Sequence, residues 1–274
     1  MNISVILSTY NNPEWLQKVL WGYERQTYET FEIVIADDGS GDETKQLIEY
    51  FSANSQLKIK HCWHPDNGFQ KCQVLNIATT AADGDYLIFT DGDCVPTPDF
   101  IATHASHAEQ GFLISGGYCK LPMQLSKLIS KDDIRSGRAF DVAWLKKHGL
   151  KSFSSALKLG LSSPWDKLAD SLTTTKPTWN GCNASTWKSD VLRVNGHNET
   201  MQYGGEDREM GERLLNLGLQ PKQLRHRAVL IHLDHARGYV NQEALDKNMA
   251  IRQSTISSKT TWSPDGILKQ PQRS

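Results

Sequence analysis

Residues 3–40 read ISVILSTYNNPEWLQKVLWGYERQTYETFEIVIADDGS, and this stretch decides the fold class. Residues 3–8 and 31–36 are short apolar runs rich in Ile and Val, which is typical of strands buried on both faces. Between these runs, Asn12 and Pro13 open a segment whose apolar residues recur with the period of a helix. A strand, a helix and a second strand of this kind predict an α/β fold, with a mostly parallel central sheet flanked by helices.

The alternation of strands and helices continues along the chain. Another helix is expected after residue 40, with Ser40 or Asp42 as its N-cap. The further predicted elements are, in chain order, a strand at 57–62, a helix at 73–82, a strand at 86–90, a polar helical stretch at 120–175, a short strand at 178–187, a helix at 206–217 and a strand at 227–233. The tail from residue 241 lacks periodicity, so we expect part of it to be disordered.

The composition is that of an ordinary globular protein, with 38% hydrophobic and 22% charged residues. The formal net charge of -1 gives no general attraction to nucleic acid, so no nucleic-acid partner is expected. The five cysteines include no CxxC pair, which favours reduced thiols in the cytoplasm over a disulfide framework. No apolar run reaches the roughly 18 residues that a membrane-spanning helix needs.

Polar clusters follow three of the predicted strands, at residues 8–11, 37–40 and 91–93. In open α/β sheets, ligands bind beyond the carboxyl ends of the strands, so these clusters are expected to face one cleft. Asp38 is a candidate to hydrogen-bond a base or a ribose hydroxyl. The same residues also suit a turn followed by a helix cap.

Asp91 and Asp93 are two carboxylates two residues apart, directly after a predicted buried strand. Their concentrated negative charge favours a cation, and Mg²⁺ or Mn²⁺ commonly bridges a carboxylate and a substrate phosphate. A solvated Asp-Gly turn is the structural alternative. His232 and His235 end a later strand and are candidate further ligands, since imidazole binds Mn²⁺ alongside carboxylates; a pair of surface histidines is the alternative.

Glu206 and Asp207 follow two glycines at the start of a predicted helix. Carboxylates there can simply complement the helix dipole, but Asp207 can also act as a general base on a sugar hydroxyl. Lys71 is either a phosphate contact or a solvated lysine. The run WNGCN at 179–183 suits a sugar-binding wall that includes Gly181, and it suits a plain structural role equally well.

Three stretches resemble a known family. Residues 3–44 resemble the opening of family 2 glycosyltransferases of the GT-A fold, and YLIFTDGDC at 86–94 resembles the DxD motif of that family. Residues 179–218 are similar to the C-terminal half shared by the β-1,4-galactosyltransferases and bacterial chondroitin polymerase. The resemblance covers residues 1–110 and 178–240.

The resemblance implies a role for each candidate residue. The implied assignments are Ser8, Tyr10, Asp38 and Asp91 for the UDP-sugar donor, Asp93, His232 and His235 for Mn²⁺ or Mg²⁺, Asp207 for the catalytic base, and Tyr203 and Glu206 for the acceptor. From their residue types alone, Lys71 and Gly181 are added to the donor-binding set. The implied reaction moves a hexose or N-acetylhexosamine from the UDP-sugar to a hydroxyl of a glycan or lipid-linked glycan, with inversion. Such a reaction belongs to the synthesis of bacterial surface polysaccharide or lipopolysaccharide.

The implied organisation is a single catalytic domain over residues 1–240, followed by a tail at 241–274. Within the domain we expect a donor-binding half at 1–115, a helical insertion on the acceptor side at 116–177, and an acceptor and catalytic half at 178–240. Two features depart from the family: residues 120–175 match no part of it, and Arg208 stands where the animal enzymes have a further acid.

A nucleotidyltransferase and an inactive sugar-binding module are the two alternatives to a transferase. A sugar-nucleotide nucleotidyltransferase would need a Gly-rich phosphate loop near the first strand, and residues 8–11 contain no glycine. A catalytically inactive sugar-binding module would not need the full set of carboxylates and histidines. Residues 120–170 carry ten Lys or Arg against five Asp or Glu. This excess predicts either peripheral docking of a cytoplasmic protein on the anionic inner face of a membrane or a solvated insertion.

Overall fold

The computed structural model describes residues 1–236 and 240–269, which form one eight-stranded sheet with helices on both faces. The strands are β1 (Ile3–Thr9), β2 (Phe31–Asp37), β3 (Ile59–Trp63), β4 (Tyr86–Asp91), β5 (Cys94–Pro96), β6 (Phe112–Lys120), β7 (Asn183–Trp187) and β8 (Gln220–His232). The helices are α1 (Pro13–Tyr23), α2 (Asp42–Asn54), α3 (Lys71–Ala81), α4 (Phe100–His107), α5 (Met123–Leu128), α6 (Lys131–Ser136), α7 (Val142–Lys147), α8 (Phe153–Gly160), α9 (Trp165–Leu172), α10 (Lys188–Arg193), α11 (Glu206–Asn216) and α12 (Gln242–Ser257). The strand order is β3-β2-β1-β4-β7-β6-β8-β5.

The first half of the sheet is parallel, as the sequence predicts. β1 pairs with β2 and β4, and β2 pairs with β3. Successive side chains of β1 point to opposite faces, so Leu7 lies in one core cluster and Ile6 in the other. Parallel strands end at the same edge, and the register places Ser8 beside Asp91. The polar clusters that follow β1, β2 and β4 therefore meet.

The second half of the sheet is mixed. β7 is antiparallel to β4 and β6, β6 and β8 are parallel, and β5 is antiparallel to β8. In the last pair Cys94 lies opposite His232, and the N–H of Leu233 donates to the carbonyl of Asp93 at 2.9 Å. This pairing brings the end of β8 to the Asp91-Gly92-Asp93 turn. The α/β fold class is confirmed, with four of the seven pairs between described strands parallel.

The segment after β6 forms the short helices α5 to α9, as its polar helical pattern predicts. Lys18 of α1 holds α5, because its Nζ donates to the carbonyl of Ser126 at 2.9 Å. Asp170 of α9 is buried and accepts from the backbone N–H of His226 and from Nε of Arg227 in β8, both at 2.8 Å. The insertion is thus held by α1 at one end and by β8 of the sheet at the other. The expected boundary at residue 115 falls inside β6, which runs to Lys120.

In the tail from residue 241, residues 242–257 form α12, which packs on α11 through polar contacts such as Arg252 with Glu212 and therefore lacks a strong apolar period. The prediction for the N-cap of α2 was wrong. Neither Ser40 nor Asp42 caps α2, since its N-cap is Gly41. Ser40 accepts the N–H of Asn11 instead, at 2.8 Å. Four further elements, β5, β6, α4 and α10, are not predicted from the sequence.

Candidate active site

A cavity of about 520 Å³ lies beyond the carboxyl ends of β1, β2 and β4, where ligands bind in sheets of this kind. Most of the predicted site residues line it: Ser8, Tyr10, Asp38, Lys71, Asp91, Asp93, Tyr203, Glu206, Asp207, His232 and His235. Gly181 lines an adjoining cavity instead. The structure therefore brings together side chains that are more than 200 positions apart in the sequence.

Lys71, the first residue of α3, joins two of the carboxylates. Its Nζ donates to Oδ1 of Asp91 at 3.0 Å and lies 3.8 Å from Oδ2 of Asp207. Burial alone would lower the pKa of Lys71, but the charges of Asp207, Asp91 and Glu206 raise it well above its ordinary value. The ammonium group is therefore charged at neutral pH. Ser8 supplies a second donor to Asp91, at 2.6 Å, so Asp91 is held firmly in the cavity wall.

Asp207 is the second residue of α11, and its side chain is 19% exposed. Burial raises the pKa of this carboxyl group to about 7, with the charges of Glu206 and Asp91 adding to the shift and Lys71 opposing it. Its Oδ1 is buried and has no hydrogen-bond partner among the described residues. A carboxylate with a pKa near neutrality is suited to accept a proton.

Gly181 makes the space that Asp207 occupies. A Cβ at residue 181 would lie 2.6 Å from Oδ1 of Asp207, and closer still to its Oδ2 and Cγ. Any side chain at this position would displace the carboxylate. The absence of a side chain at Gly181 thus lets Asp207 take its position. The sequence had suggested a contact with the donor instead.

Asp93 faces the two histidines at the end of β8. Nε2 of His235 lies 3.1 Å from one carboxylate oxygen, and Nε2 of His232 lies 4.0 Å from the other. The two imidazole rings are stacked, with centroids 5.8 Å apart. Although burial opposes the change, His235 and His232 lower the pKa of Asp93, so the carboxylate is ionised.

The orientation of both histidines fits a bound cation. In each ring Nδ1 lies 2.9 Å from a backbone carbonyl oxygen, of Leu233 for His232 and of Ala236 for His235, and must therefore carry the proton. In neutral rings both Nε2 lone pairs then face the Asp93 carboxylate, an arrangement that needs a proton or a cation between them. Backbone partners of this kind commonly orient metal-ligating histidines. Cys94 also lies within 4.8 Å of Asp93 and His232, and burial raises the pKa of its thiol well above its ordinary value.

The two aspartates after β2 have different surroundings. Asp37 is fully buried, and its Oδ1 accepts the N–H of Ser40 at 2.8 Å, as in the turn that the sequence suggests. Asp38 lines the cavity and accepts the N–H of Gln70 through both oxygens, at 3.2 and 3.1 Å. Burial raises the pKa of Asp38 to about 6. Asp37 thus stabilises the turn after β2, and Asp38 is the member of the pair that faces the cavity.

Tyr203 and Glu206 lie where the cavity continues into its neighbour, since both residues line the two cavities. The ring of Tyr203 meets that of Phe69 edge to face, with centroids 6.1 Å apart. Glu206 is buried and accepts the N–H of Gly204 at 2.7 Å. Glu206 therefore shapes the loop before α11 in addition to facing the cavity.

Two histidines beside the site were missed from the sequence. His64 lies 3.1 Å from Asp38, and His197 lies fully buried behind Asp207, with Nε2 3.8 Å from its Oδ1. Burial, together with the charges of Arg213 and Lys71, lowers the pKa of His197 to about 3, so it is neutral. Neither histidine stands in a motif whose spacing signals a site, so only the folded arrangement identifies them.

No helix in the parts of the chain at 1–236 and 240–269 is long and apolar enough to cross a membrane.

Comparison with known proteins identifies the family. The model of "Glycosyl transferase family 2" matches residues 4–138, and the model described as "N-terminal domain of galactosyltransferase" matches residues 171–236. The chain belongs to glycosyltransferase family 2. Both parts of the resemblance seen in the sequence are thereby confirmed.

Among relatives of this family 2 chain, validoxylamine A glucosyltransferase of Streptomyces hygroscopicus subsp. jinggangensis (strain 5008) is 29% identical over 230 residues, which is 77% of this chain and 51% of the relative. Chondroitin synthase of Escherichia coli is 30% identical over 103 residues, which is 37% of this chain and 15% of the synthase. The chain thus spans about half the length of the first relatives, 51% and 47%. The solved structure of GalNAc-T7 with UDP, GalNAc and Mn²⁺ aligns with a TM-score of 0.62 at 15% identity, over 92% of this chain and 48% of that one. This likeness confirms the GT-A fold.

Proposed function

We propose that this chain is a metal-dependent glycosyltransferase that moves a hexose or N-acetylhexosamine from a UDP-sugar to a hydroxyl of a glycan acceptor, with inversion. The observation that carries the proposal is one cavity that holds both a proton-accepting carboxylate, Asp207, and a cation-binding set, Asp93 with His232 and His235. Membership of family 2 supports the transfer of a sugar from an activated donor. Synthesis of a bacterial surface polysaccharide or lipopolysaccharide is the setting that we propose.

The donor is proposed to lie along the ends of β1, β2 and β4. Asp38 would accept hydrogen bonds from the uracil or the ribose, and Tyr10, half of whose surface is exposed, offers a ring face to the same part of the cavity. Lys71 and Ser8 hold Asp91 in place and leave the ammonium group of Lys71 facing the phosphates and the sugar. GalNAc-T7, of the same fold, has been solved with UDP and GalNAc, which supports this class of donor.

A divalent cation is proposed to bind at Asp93, His232 and His235. A carboxylate with two imidazoles suits Mn²⁺, and Mg²⁺ is the alternative cofactor. When bound, the cation would neutralise the charge that develops on the departing diphosphate. The presence of Mn²⁺ in the GalNAc-T7 structure supports this cofactor.

Asp207 is proposed to accept the proton of the attacking acceptor hydroxyl. The Oδ1 of this carboxylate has no partner among the described residues, and its position beside Tyr203 and Glu206 would place the acceptor opposite the donor phosphates. Direct attack with base assistance displaces the nucleotide in one step and inverts the anomeric carbon. Lys71, 3.8 Å from Asp207, would stabilise the ionised form of the base before the attack.

The substitution Asp207→Asn tests the proposal, because it keeps the shape of the side chain and removes its basicity. Loss of a general base costs about 10²- to 10⁴-fold in rate, so transfer should fall by that factor. The Asp207→Asn protein should still be stabilised against heat by UDP with Mn²⁺. In the Asp93→Asn protein, the part of this stabilisation that depends on Mn²⁺ should be lost. Unchanged transfer by folded Asp207→Asn protein would overturn the proposal.

The two other functions are separated by their products. A nucleotidyltransferase would release pyrophosphate from a nucleoside triphosphate, and the loop after β1 has no glycine to cradle one. An inactive module would bind UDP-sugars without turnover. Neither of these two functions needs a carboxyl group like that of Asp207, whose pKa burial raises to about 7 and whose Oδ1 has no hydrogen-bond partner among the described residues.

We also propose that the insertion touches the surface of an anionic membrane. Phe153, Trp165 and Leu172 of α8 and α9 are 73%, 63% and 70% exposed, and Lys151 and Lys167 lie exposed beside them in sequence. Apolar side chains next to lysines suit an interface with acidic lipid. Co-sedimentation with phosphatidylglycerol vesicles should fall when Phe153 and Leu172 are changed to Ser. No binding of the wild-type chain to these vesicles would exclude this surface.

A further inference from the structure

A second cavity, of about 360 Å³, adjoins the active site. It shares Tyr118, Asn180, Tyr203, Glu206 and Asp207 with the first cavity, but Ser8, Asp38, Asp91 and Asp93 do not line it. The second cavity therefore meets the site at the base and not at the donor phosphates. A ligand within it would approach Asp207 from the side proposed for the acceptor.

Four cations line this second cavity: Lys158, Lys176, Arg208 and Arg225. Within residues 1–236 and 240–269, no carboxylate lies within ion-pair distance of any of the four. Lys158 is buried and Arg225 is half-buried, whereas Lys176 and Arg208 are exposed, and a buried lysine is almost never left without a counter-charge. The cavity is therefore a candidate site for an anion.

Lys158 gives the clearest sign of a missing counter-charge. It is only 8% exposed, its Nζ donates to the carbonyl of Tyr118 at 2.7 Å, and it lies 5.0 Å from the centre of the Tyr118 ring. Burial lowers the pKa of Lys158, and the positive charge of Arg225 lowers it further. Two like charges near each other in a partly buried space are stabilised when an anion binds between or beside them.

The two carboxylates in the same lining are already engaged elsewhere. Glu206 accepts the N–H of Gly204 at 2.7 Å, and Asp207 lies 3.8 Å from Lys71 on the donor side. Neither forms an ion pair with a cation of the second cavity, so the positive charge there is not compensated from within the lining.

We propose that the second cavity binds an anionic group of the acceptor, a phosphate or a carboxylate, and so positions a neighbouring hydroxyl at Asp207. This inference rests on the proposed transferase function and narrows its acceptor to a glycan that carries a negative charge. Arg208 and Arg225 supply planar donor groups that suit either anion, and Lys158 supplies a point charge. Because a phosphate and a carboxylate would make the same contacts with these cations, the test uses one glycoside that carries each group.

The test uses the full chain saturated with UDP and Mn²⁺, so that an anion cannot enter the nucleotide site. Binding of methyl β-glucoside, methyl β-glucuronide and methyl β-glucoside 6-phosphate is measured by ligand-observed NMR titration. We expect at least one of the two anionic glycosides to bind about tenfold or more tightly than the neutral one, which corresponds to about 1.4 kcal/mol. This preference should weaken as the salt concentration rises.

Matched variants locate the anion. The preference should disappear in Arg225→Gln and in Arg208→Gln, of which the second concerns an exposed side chain and should not affect folding. Lys146→Gln, at an exposed lysine of α7 that lies outside the cavity lining, serves as the control and should keep it. Equal affinity for all three glycosides, or a preference that survives both arginine variants, would refute the anion site. Failure of UDP with Mn²⁺ to stabilise the wild-type chain would instead refute the proposed function.

Discussion

Gly181→Ala is expected to disable the active site by adding a single methyl group. The new Cβ would lie 2.6 Å from Oδ1 of Asp207 and closer still to the other carboxylate atoms. Heavy atoms in van der Waals contact are about 3.5 Å apart, so the carboxylate would have to move by about 1 Å or more. Gly181 is not among the residues with a positive φ, so alanine suits its backbone and the effect falls on Asp207.

The size of the effect follows from this displacement. A shift of about 1 Å in a reacting group can cost about 10²-fold in rate, which is about 2.7 kcal/mol of transition-state stabilisation. Full removal of the base sets the upper range, about 10²- to 10⁴-fold. The 3.8 Å contact between Lys71 and Asp207 would change as well, so the charge balance of the base would be disturbed along with its position.

The assay is steady-state transfer from a UDP-sugar, with kcat/KM compared between variants and with UDP binding in the presence of Mn²⁺ measured by thermal shift. Gly41→Ala is the matched control, because a Cβ there meets only Oδ1 of Asn11, at 3.9 Å. Transfer by Gly181→Ala within about threefold of the wild type, less than 1 kcal/mol, would show that the position of Asp207 does not govern the reaction. An equal loss of UDP affinity would instead favour the donor contact that the sequence suggests.

Three further predictions concern other parts of the molecule. Because burial raises the pKa of Asp207 to about 7 and only the ionised form accepts a proton, kcat/KM should fall about tenfold for each pH unit below 7; a flat profile between pH 5 and 7 would contradict its role. Asn248→Ala leaves the carbonyls of residues 202 and 204, at 2.8 and 3.2 Å from its Nδ2, without their donor. It should lower the free energy of unfolding by about 1–3 kcal/mol in urea titrations, and an unchanged midpoint would show that α12 does not hold this loop. Asp170→Asn removes the buried partner of two side chains of β8 and should cost about 3–5 kcal/mol, whereas exposed Asp132→Asn should cost little; equal costs would exclude the anchoring of the insertion.

The edge of the sheet that carries the site could be predicted from the sequence, because short local sequence patterns determine where each strand ends. Apolar runs of strand length end at Ser8, Asp37 and Asp91, and parallel strands necessarily end together. A single physical rule then places the polar residues that follow them in one cleft. The helices α1 and α3 were predictable for the same reason, since each carries its own apolar period.

The parts that escaped prediction depend on contacts between distant residues. No residue near Gly181 in the sequence indicates that the carboxylate of Asp207 occupies the space in which a Cβ of residue 181 would lie. α12 carries few buried apolar residues and is held by side chains such as Asn248 and Thr255, so its sequence resembles that of a loop. β6 was missed because its glycines interrupt the apolar pattern.

The surroundings of Asp207 differ from those of a carboxylate that only stabilises a helix end. One carboxylate oxygen has no hydrogen bond among the described residues, and burial holds the pKa near 7 although Lys71 favours the charged form. A carboxylate that only capped α11 would gain from solvent and from a full set of donors, and its pKa would then lie near or below its usual value. The neutral His197 behind it, 3.8 Å away and without a hydrogen bond from its own ring among the described residues, adds no charge that would lower that pKa. The fold thus keeps one carboxylate poorly solvated at the junction of two cavities, which is the place that the proposed function gives to its base.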